Sequence, residues 1–299
     1  MKLIIHRRLS IVLLILLLVA ATDFSTSNAF EVPSAVKTTN TINIAKRIEL
    51  VTFYSNILKT QKQYAVVLPA AYHSTSSATV TCPVLFLFHG RGRSERSLID
   101  DPVSCAALLT ANFVTVLLDG DDGWYINSPQ QPKQRYEKYT AEVIQHAPVK
   151  YHLSTARTQR GLSGWSMGGY GATLFAAKHN SQFCAVAPII GLLDFPRIGL
   201  PEGQSYDVPH TRFSTNPTTW RQFNPINHAN KLKSTQLLII TADQAFDRTM
   251  NRNFADRLKE LDIPFQFTQL KGTHSFDIVR KALPLVIRFM NKSLTPEAK

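Results

Sequence analysis

The sequence predicts an α/β fold: a mostly parallel central sheet with helices on both faces and an antiparallel N-terminal edge. Three observations carry this. Short, compact apolar runs recur between segments of helical length, the first strand-like segment alternates instead of running apolar, and one apolar run ends in Gly-x-Ser-x-Gly at the start of a helical segment. Continuous apolar runs mark strands covered on both faces, as parallel strands are, and their alternation with helices implies βαβ units. The 299 residues are 44% apolar and 18% charged, enough for a large core, which excludes a disordered chain, a collagen-like repeat or a disulfide-stapled miniprotein.

The first segment stands outside the fold. Lys2, Arg7 and Arg8 precede the apolar run Leu9 to Ala21, and Ser27-Asn28-Ala29 supplies small residues where a signal peptidase reads. Residues 1–29 are therefore expected to be a secretory signal cleaved after Ala29. The apolar run is shorter than the roughly 18 to 20 residues that span a bilayer, which disfavours a retained anchor. Residues 30–299 are expected to form one domain, secreted or periplasmic, without stable membrane insertion. Loss of the signal takes away three basic groups and Asp23 and lowers the net charge from +12 to +10. The remaining Lys and Arg are scattered, not clustered as a nucleic-acid face requires, so no nucleic-acid partner is expected. Of three cysteines, Cys184 lies in an apolar run and reads as an inert core thiol, while Cys82 and Cys105 are the one pair open to a disulfide. No cysteine has metal-ligand spacing, and neither a metal nor a cofactor is expected.

In chain order, Ile48 to Tyr54 alternates and Gln63 to Leu68 forms a second short run, the antiparallel edge. Buried-strand candidates follow at Val84 to Phe88, Phe113 to Leu118, Gly161 to Trp165, Cys184 to Ile190, Leu237 to Thr241 and Phe265 to Leu270. Helical-length segments lie at about 97–110, 135–150, 167–179, 248–262 and 276–292. Residues 192–230, with Phe195, Tyr206, Phe213, Trp220 and Phe223, have no clear period and sit where a lid is inserted; they read as lid or as core packing.

The chemistry concentrates in Gly164-Trp165-Ser166-Met167-Gly168-Gly169-Tyr170-Gly171-Ala172. Flanking glycines permit a strand-to-helix turn tight enough to expose Ser166, and the following helix directs backbone N–H groups at developing negative charge. A hydroxyl needs a base to become a nucleophile. His274, in Lys271-Gly272-Thr273-His274 between the last strand and the last helix, is placed to be that base. The imidazole needs a carboxylate to fix its tautomer. Asp243 at the end of Leu238 to Ala242 is favoured, with Asp247 four residues on as the competitor. The order Ser166, Asp243, His274 is that of α/β-hydrolases. Two backbone donors must meet the oxyanion; Met167 supplies one, and Arg91 in His89-Gly90-Arg91-Gly92-Arg93-Ser94, after the strand Val84 to Phe88, is expected to supply the other.

On His89-Gly90-Arg91-Gly92, Asp119-Gly120-Asp121-Asp122-Gly123-Trp124-Tyr125-Ile126-Asn127-Ser128-Pro129, Gly164 to Ala172 and Gly272-Thr273-His274, the chain resembles the esterase family of α/β-hydrolases. That family holds S-formylglutathione hydrolase (esterase D), tributyrin and feruloyl esterases and the antigen 85 mycolyltransferases. The resemblance implies an α/β-hydrolase fold with a Ser-Asp-His triad, and puts Trp124 and Tyr125 on a substrate pocket. The chain departs from the family in carrying Arg91 where a smaller residue is usual. The family's acid also lies closer to the following helix, which keeps Asp247 in competition with Asp243.

Together these readings predict a secreted serine carboxylesterase acting on short-chain acyl or hydroxycinnamoyl esters, free or linked to polysaccharide, through an acyl-enzyme. An antigen 85-type acyltransferase would use the same triad. An S-formylglutathione hydrolase-like thioesterase fits an exported chain poorly, since glutathione is scarce there, and an idle fold used for binding would not need all three triad residue types.

Overall fold

The computed structural model describes residues 46–72, 81–199 and 207–294. The expected signal at 1–29, Tyr206 and part of the 192–230 stretch lie outside the described residues. Eight strands form one sheet: β1 (Ile48–Ser55), β2 (Thr60–Val67), β3 (Val84–Phe88), β4 (Val114–Leu118), β5 (Arg160–Trp165), β6 (Ala185–Ile189), β7 (Gln236–Ala242) and β8 (Gln266–Leu270). Their order is β1-β2-β4-β3-β5-β6-β7-β8. The β1/β2 and β2/β4 pairs are antiparallel and every later pair is parallel, as the change from alternating to continuous apolar runs predicts.

Side chains alternate across the sheet and feed two cores. Tyr64, Val66, Phe86, Phe88, Val116, Leu118, Leu162, Val186 and Ile239 point to one face. There they meet helices α2 (Tyr136–Tyr151), α3 (Met167–Lys178) and α4 (Arg248–Glu260). Ala65, Val67, Leu85, Leu87, Leu117, Ala187, Leu238 and Ile240 point to the other, under α1 (Pro102–Leu108) and α5 (Phe276–Ser293). On α5, Ile278, Val279, Ala282, Leu283, Val286, Ile287 and Met290 recur at helical spacing and are all buried.

Three elements differ from expectation. The first helix is only Pro102–Leu108, with turns before it, because Pro102 fixes a helical φ at the first position and the Asp101 side chain caps it, accepting from the Ser104 N–H at 3.0 Å. Strand β8 is not buried: it is the sheet's last strand, and Phe267 is 36% exposed. In the 192–230 stretch, Phe195, Phe213, Trp220 and Phe223 are core residues, which answers the choice between lid and packing for those four aromatics in favour of packing. Among them the chain makes one helical turn (His210–Phe213) and 3₁₀ segments at Pro217–Gln222 and Pro225–Leu232, each 3₁₀ segment capped by the preceding Asn216 or Asn224 side chain.

All three cysteines are free thiols, so Cys82 and Cys105 form no disulfide. Cys184 is buried, and burial raises its thiol above the ordinary pKa, keeping it protonated and unreactive.

The register fixes where the site falls. Strand β3 lies between β4 and β5, with Phe88 opposite both Leu118 and Gly164. The loops leaving the C-terminal ends of β3 and β5 therefore emerge side by side, where ligands bind in open α/β sheets. Because Phe86 is fully buried on the central strand, edge-on to Phe183, Phe86→Ala is expected to lower stability by about 3–5 kcal/mol, read from urea unfolding.

Candidate active site

The turn from β5 into α3 holds Ser166 at φ 55° and ψ −121°, outside the regions a serine ordinarily occupies. The neighbours explain how it stays there. A Cβ on Gly164 would lie 2.5 Å from the Gly168 carbonyl, and one on Gly168 would lie 2.1 Å from the Phe88 carbonyl oxygen. Only glycine at both positions lets β3, β5 and α3 approach this closely, and the Ser166 N–H donates to the Ile189 carbonyl at 3.0 Å, clamping the turn onto β6.

His274 lies between β8 and α5, the loop its sequence position predicts. Its Nε2 is 2.8 Å from Ser166 Oγ and its Nδ1 is 2.7 Å from Asp247 Oδ1. Phe246 lies against the imidazole, ring centres 4.2 Å apart.

The carboxylate on the histidine is thus Asp247's, not Asp243's, and the difference has a physical origin. Asp243 leaves β7 next to the loop that carries the histidine, and its Oδ1 accepts the Gly272 N–H at 2.8 Å. With Asp243 N–H donating to Leu270 O and Gln244 N–H to Gly272 O, it ties the β7–α4 loop to the Lys271–Thr273 backbone. Four residues on, where α4 begins, Asp247 turns inward and is 0% exposed. Its second oxygen accepts from Thr241 Oγ1 at 2.9 Å and from Asn251 Nδ2 at 2.8 Å, so the buried charge has donors on both oxygens once Nδ1–H is counted. Sequence reasoning missed Thr241 and Asn251. The available signal was Asn251's position one helical turn after Asp247, on the same face of α4.

Met167 begins α3 and is buried, with the helix N-terminus beside Ser166 as expected. Arg91 lies in the loop after β3, its side chain about half exposed and its Nε 3.2 Å from Asp122 Oδ1. Gly90, Arg91, Arg93, Trp165, Ser166, Ile190, His274, Ser275 and Phe276 line a cavity of about 140 Å³ around the serine. His89, beneath that loop, is buried and locked: the Gly120 N–H donates to Nε2 at 2.8 Å, which leaves Nδ1 to donate to the Gly90 carbonyl at 2.8 Å. It joins the loops after β3 and β4.

Trp124 and Tyr125 do not line this cavity. Trp124 is 0% and Tyr125 2% exposed. Trp124 stacks on Phe195 at 5.1 Å and meets Tyr170 and Phe213 edge-on. Tyr125 stacks on Phe88 at 4.5 Å and donates its hydroxyl to the His89 carbonyl at 3.1 Å. Burial pushes the Tyr125 phenol well above its ordinary pKa, so it serves as a neutral donor. The aromatic pair at φ near +55° turns both rings inward, to support the β3 loop from below.

Residues 55–285 match the family model "Putative esterase". Esterase Rv1288 of Mycobacterium tuberculosis is 23% identical over 246 residues, 71% of this chain and 52% of the relative, so the chain spans about half the length of that protein. The acetyl esterase of Caldicellulosiruptor saccharolyticus is 22% identical over 258 residues, 81% of this chain and 97% of its own length. Among solved structures, the Staphylococcus aureus fluorophosphonate-binding serine hydrolase FphF superposes with a TM-score of 0.72 at 20% identity, covering 82% of this chain and 98% of FphF.

The elbow's packing has a measurable consequence. Gly168→Ala drives a methyl into the Phe88 carbonyl and is expected to cost about 3 kcal/mol, the upper end of overpacking, as a lowered urea midpoint with unchanged slope.

Proposed function

The chain belongs to this esterase family, and from that premise we propose that it is a serine carboxylesterase hydrolysing esters of short acyl groups through an acyl-enzyme. The observation that carries the reading is the unbroken chain from buried Asp247 through His274 to Ser166, with contacts of 2.7 and 2.8 Å. Ser166 Oγ attacks the acyl carbon while His274 Nε2 takes its proton, and the carbonyl electrons move onto oxygen. The backbone N–H groups of Met167 and Arg91 receive that charge. Collapse breaks the bond to the alcohol oxygen, to which the imidazolium gives the proton. Water then repeats the sequence on the acyl-enzyme, releasing the acid. Asp247 remains ionised, holds Nδ1–H and stabilises the imidazolium; Asp243 positions the histidine loop without touching the imidazole.

The cavity of about 140 Å³ favours acetyl-sized groups over hydroxycinnamoyl ones. We also read residues 1–29 as an export leader, so the intact mass of exported protein is expected to correspond to a chain starting at Phe30.

Activity on p-nitrophenyl esters from acetate to palmitate is expected to peak at the short end and to vanish in Ser166→Ala, whose melting temperature stays near wild type. Turnover retained by that variant contradicts the mechanism. Asp247→Asn is expected to lower kcat by about 10³–10⁴-fold, since an amide cannot hold the working tautomer or stabilise the imidazolium, whereas Asp243→Asn lowers it less than about tenfold. A reversed order in the same assay assigns the acid to Asp243.

A further inference from the structure

Resting on the esterase reading, we propose that Arg93 makes this site select esters whose alcohol part carries a negative charge. The cavity around Ser166 is lined by two arginines and by no carboxylate. The charge of Arg91 is offset by Asp122 at 3.2 Å. Nearby, Arg280 grips Asp101 at 2.7 Å and Lys281 pairs with Asp277 at 2.6 Å. Arg93 is different: its side chain is exposed, it enters none of the ion pairs among the described residues, and its guanidinium lies over the Phe276 ring, 5.0 Å from the centre. Phe276 carries Arg280 as well, 5.1 Å from the same ring centre, but that guanidinium is already committed to Asp101. The ring thus holds in place one satisfied cation and one unsatisfied one, and the unsatisfied one lines the cavity.

The side of the cavity identifies which half of the substrate it meets. His274 gives its proton to the departing alcohol oxygen, so the alcohol occupies the imidazole side. Ser275 and Phe276 continue the wall directly from His274, and Arg93 lies on Phe276. A carboxylate or phosphate on the alcohol part would meet a planar guanidinium able to bind either one through two hydrogen bonds.

The test compares 4-acetoxybenzoate with its neutral amide, 4-acetoxybenzamide, in wild type, Arg93→Gln and Arg93→Lys. The ratio of their kcat/KM values, compared between proteins, cancels the intrinsic reactivity of the two esters. The preference for the anion is expected to fall about tenfold in Arg93→Gln, mainly through KM, and to be largely kept in Arg93→Lys. 4-Acetoxyphenyl phosphate run beside them separates carboxylate from phosphate selection. In wild type alone, the preference is expected to shrink as NaCl is raised from 0.01 to 0.5 M, a readout that does not need the variants to fold. A ratio equal in wild type and Arg93→Gln, or one indifferent to salt, overturns the role of Arg93 while ester hydrolysis stands. Absence of hydrolysis of every ester by wild type overturns the esterase reading and this inference with it.

Discussion

The contact between the buried Asp247 carboxylate and the His274 imidazole is the constraint on which the site depends. A charge at 0% exposure is costly unless its oxygens are fully bonded, and here His274, Thr241 and Asn251 supply the donors. Those donors come from three parts of the chain: the end of β7, the second turn of α4 and the loop after β8. Asp247 thereby fixes α4 against β7 and the histidine loop against both. The same carboxylate that can order the imidazole for chemistry also joins the C-terminal third of the fold. Asp243 complements it, since its grip on the Gly272 N–H holds the loop at the level where Nε2 reaches Ser166.

The opposite wall is set by close approach instead of charge. Gly164 and Gly168 bring β3, β5 and α3 within a distance no side chain tolerates, and the strained Ser166 backbone is held by that packing. Beneath it, Tyr125, His89 and the Gly120 N–H form a buried hydrogen-bonded chain under the loop that carries Arg91. The aromatic cluster of Trp124, Tyr170, Phe195 and Phe213 is therefore a foundation for the site, not its lining.

Most of the sheet was legible because buried parallel strands leave an unmistakable mark, a short apolar run, and Gly164 to Ala172 marks the elbow with equal clarity. The losses are equally physical. Asp243 and Asp247 stand four residues apart in a turn, and which of them faces inward depends on how that turn is tied to Gly272, a contact 29 residues away in sequence. Trp124 and Tyr125 have the composition of a pocket wall and of a core alike, and only their positive φ values, invisible in a string of letters, turn them inward. Phe265 to Leu270 carries enough apolar residues to be grouped with the inner strands although Gln266, Thr268 and Gln269 interrupt it, so the place of β8 at the sheet edge emerged only from the topology.

In the proposed mechanism Ser166 is made nucleophilic by His274 held on Asp247. The most direct test is covalent: reaction with a small fluorophosphonate, followed by peptide mass spectrometry of the modified chain. One phosphonyl group per molecule is expected, on Ser166, formed at a rate that collapses in Asp247→Asn. A label on another residue, or labelling of Ser166 at an equal rate in that variant, would contradict the mechanism.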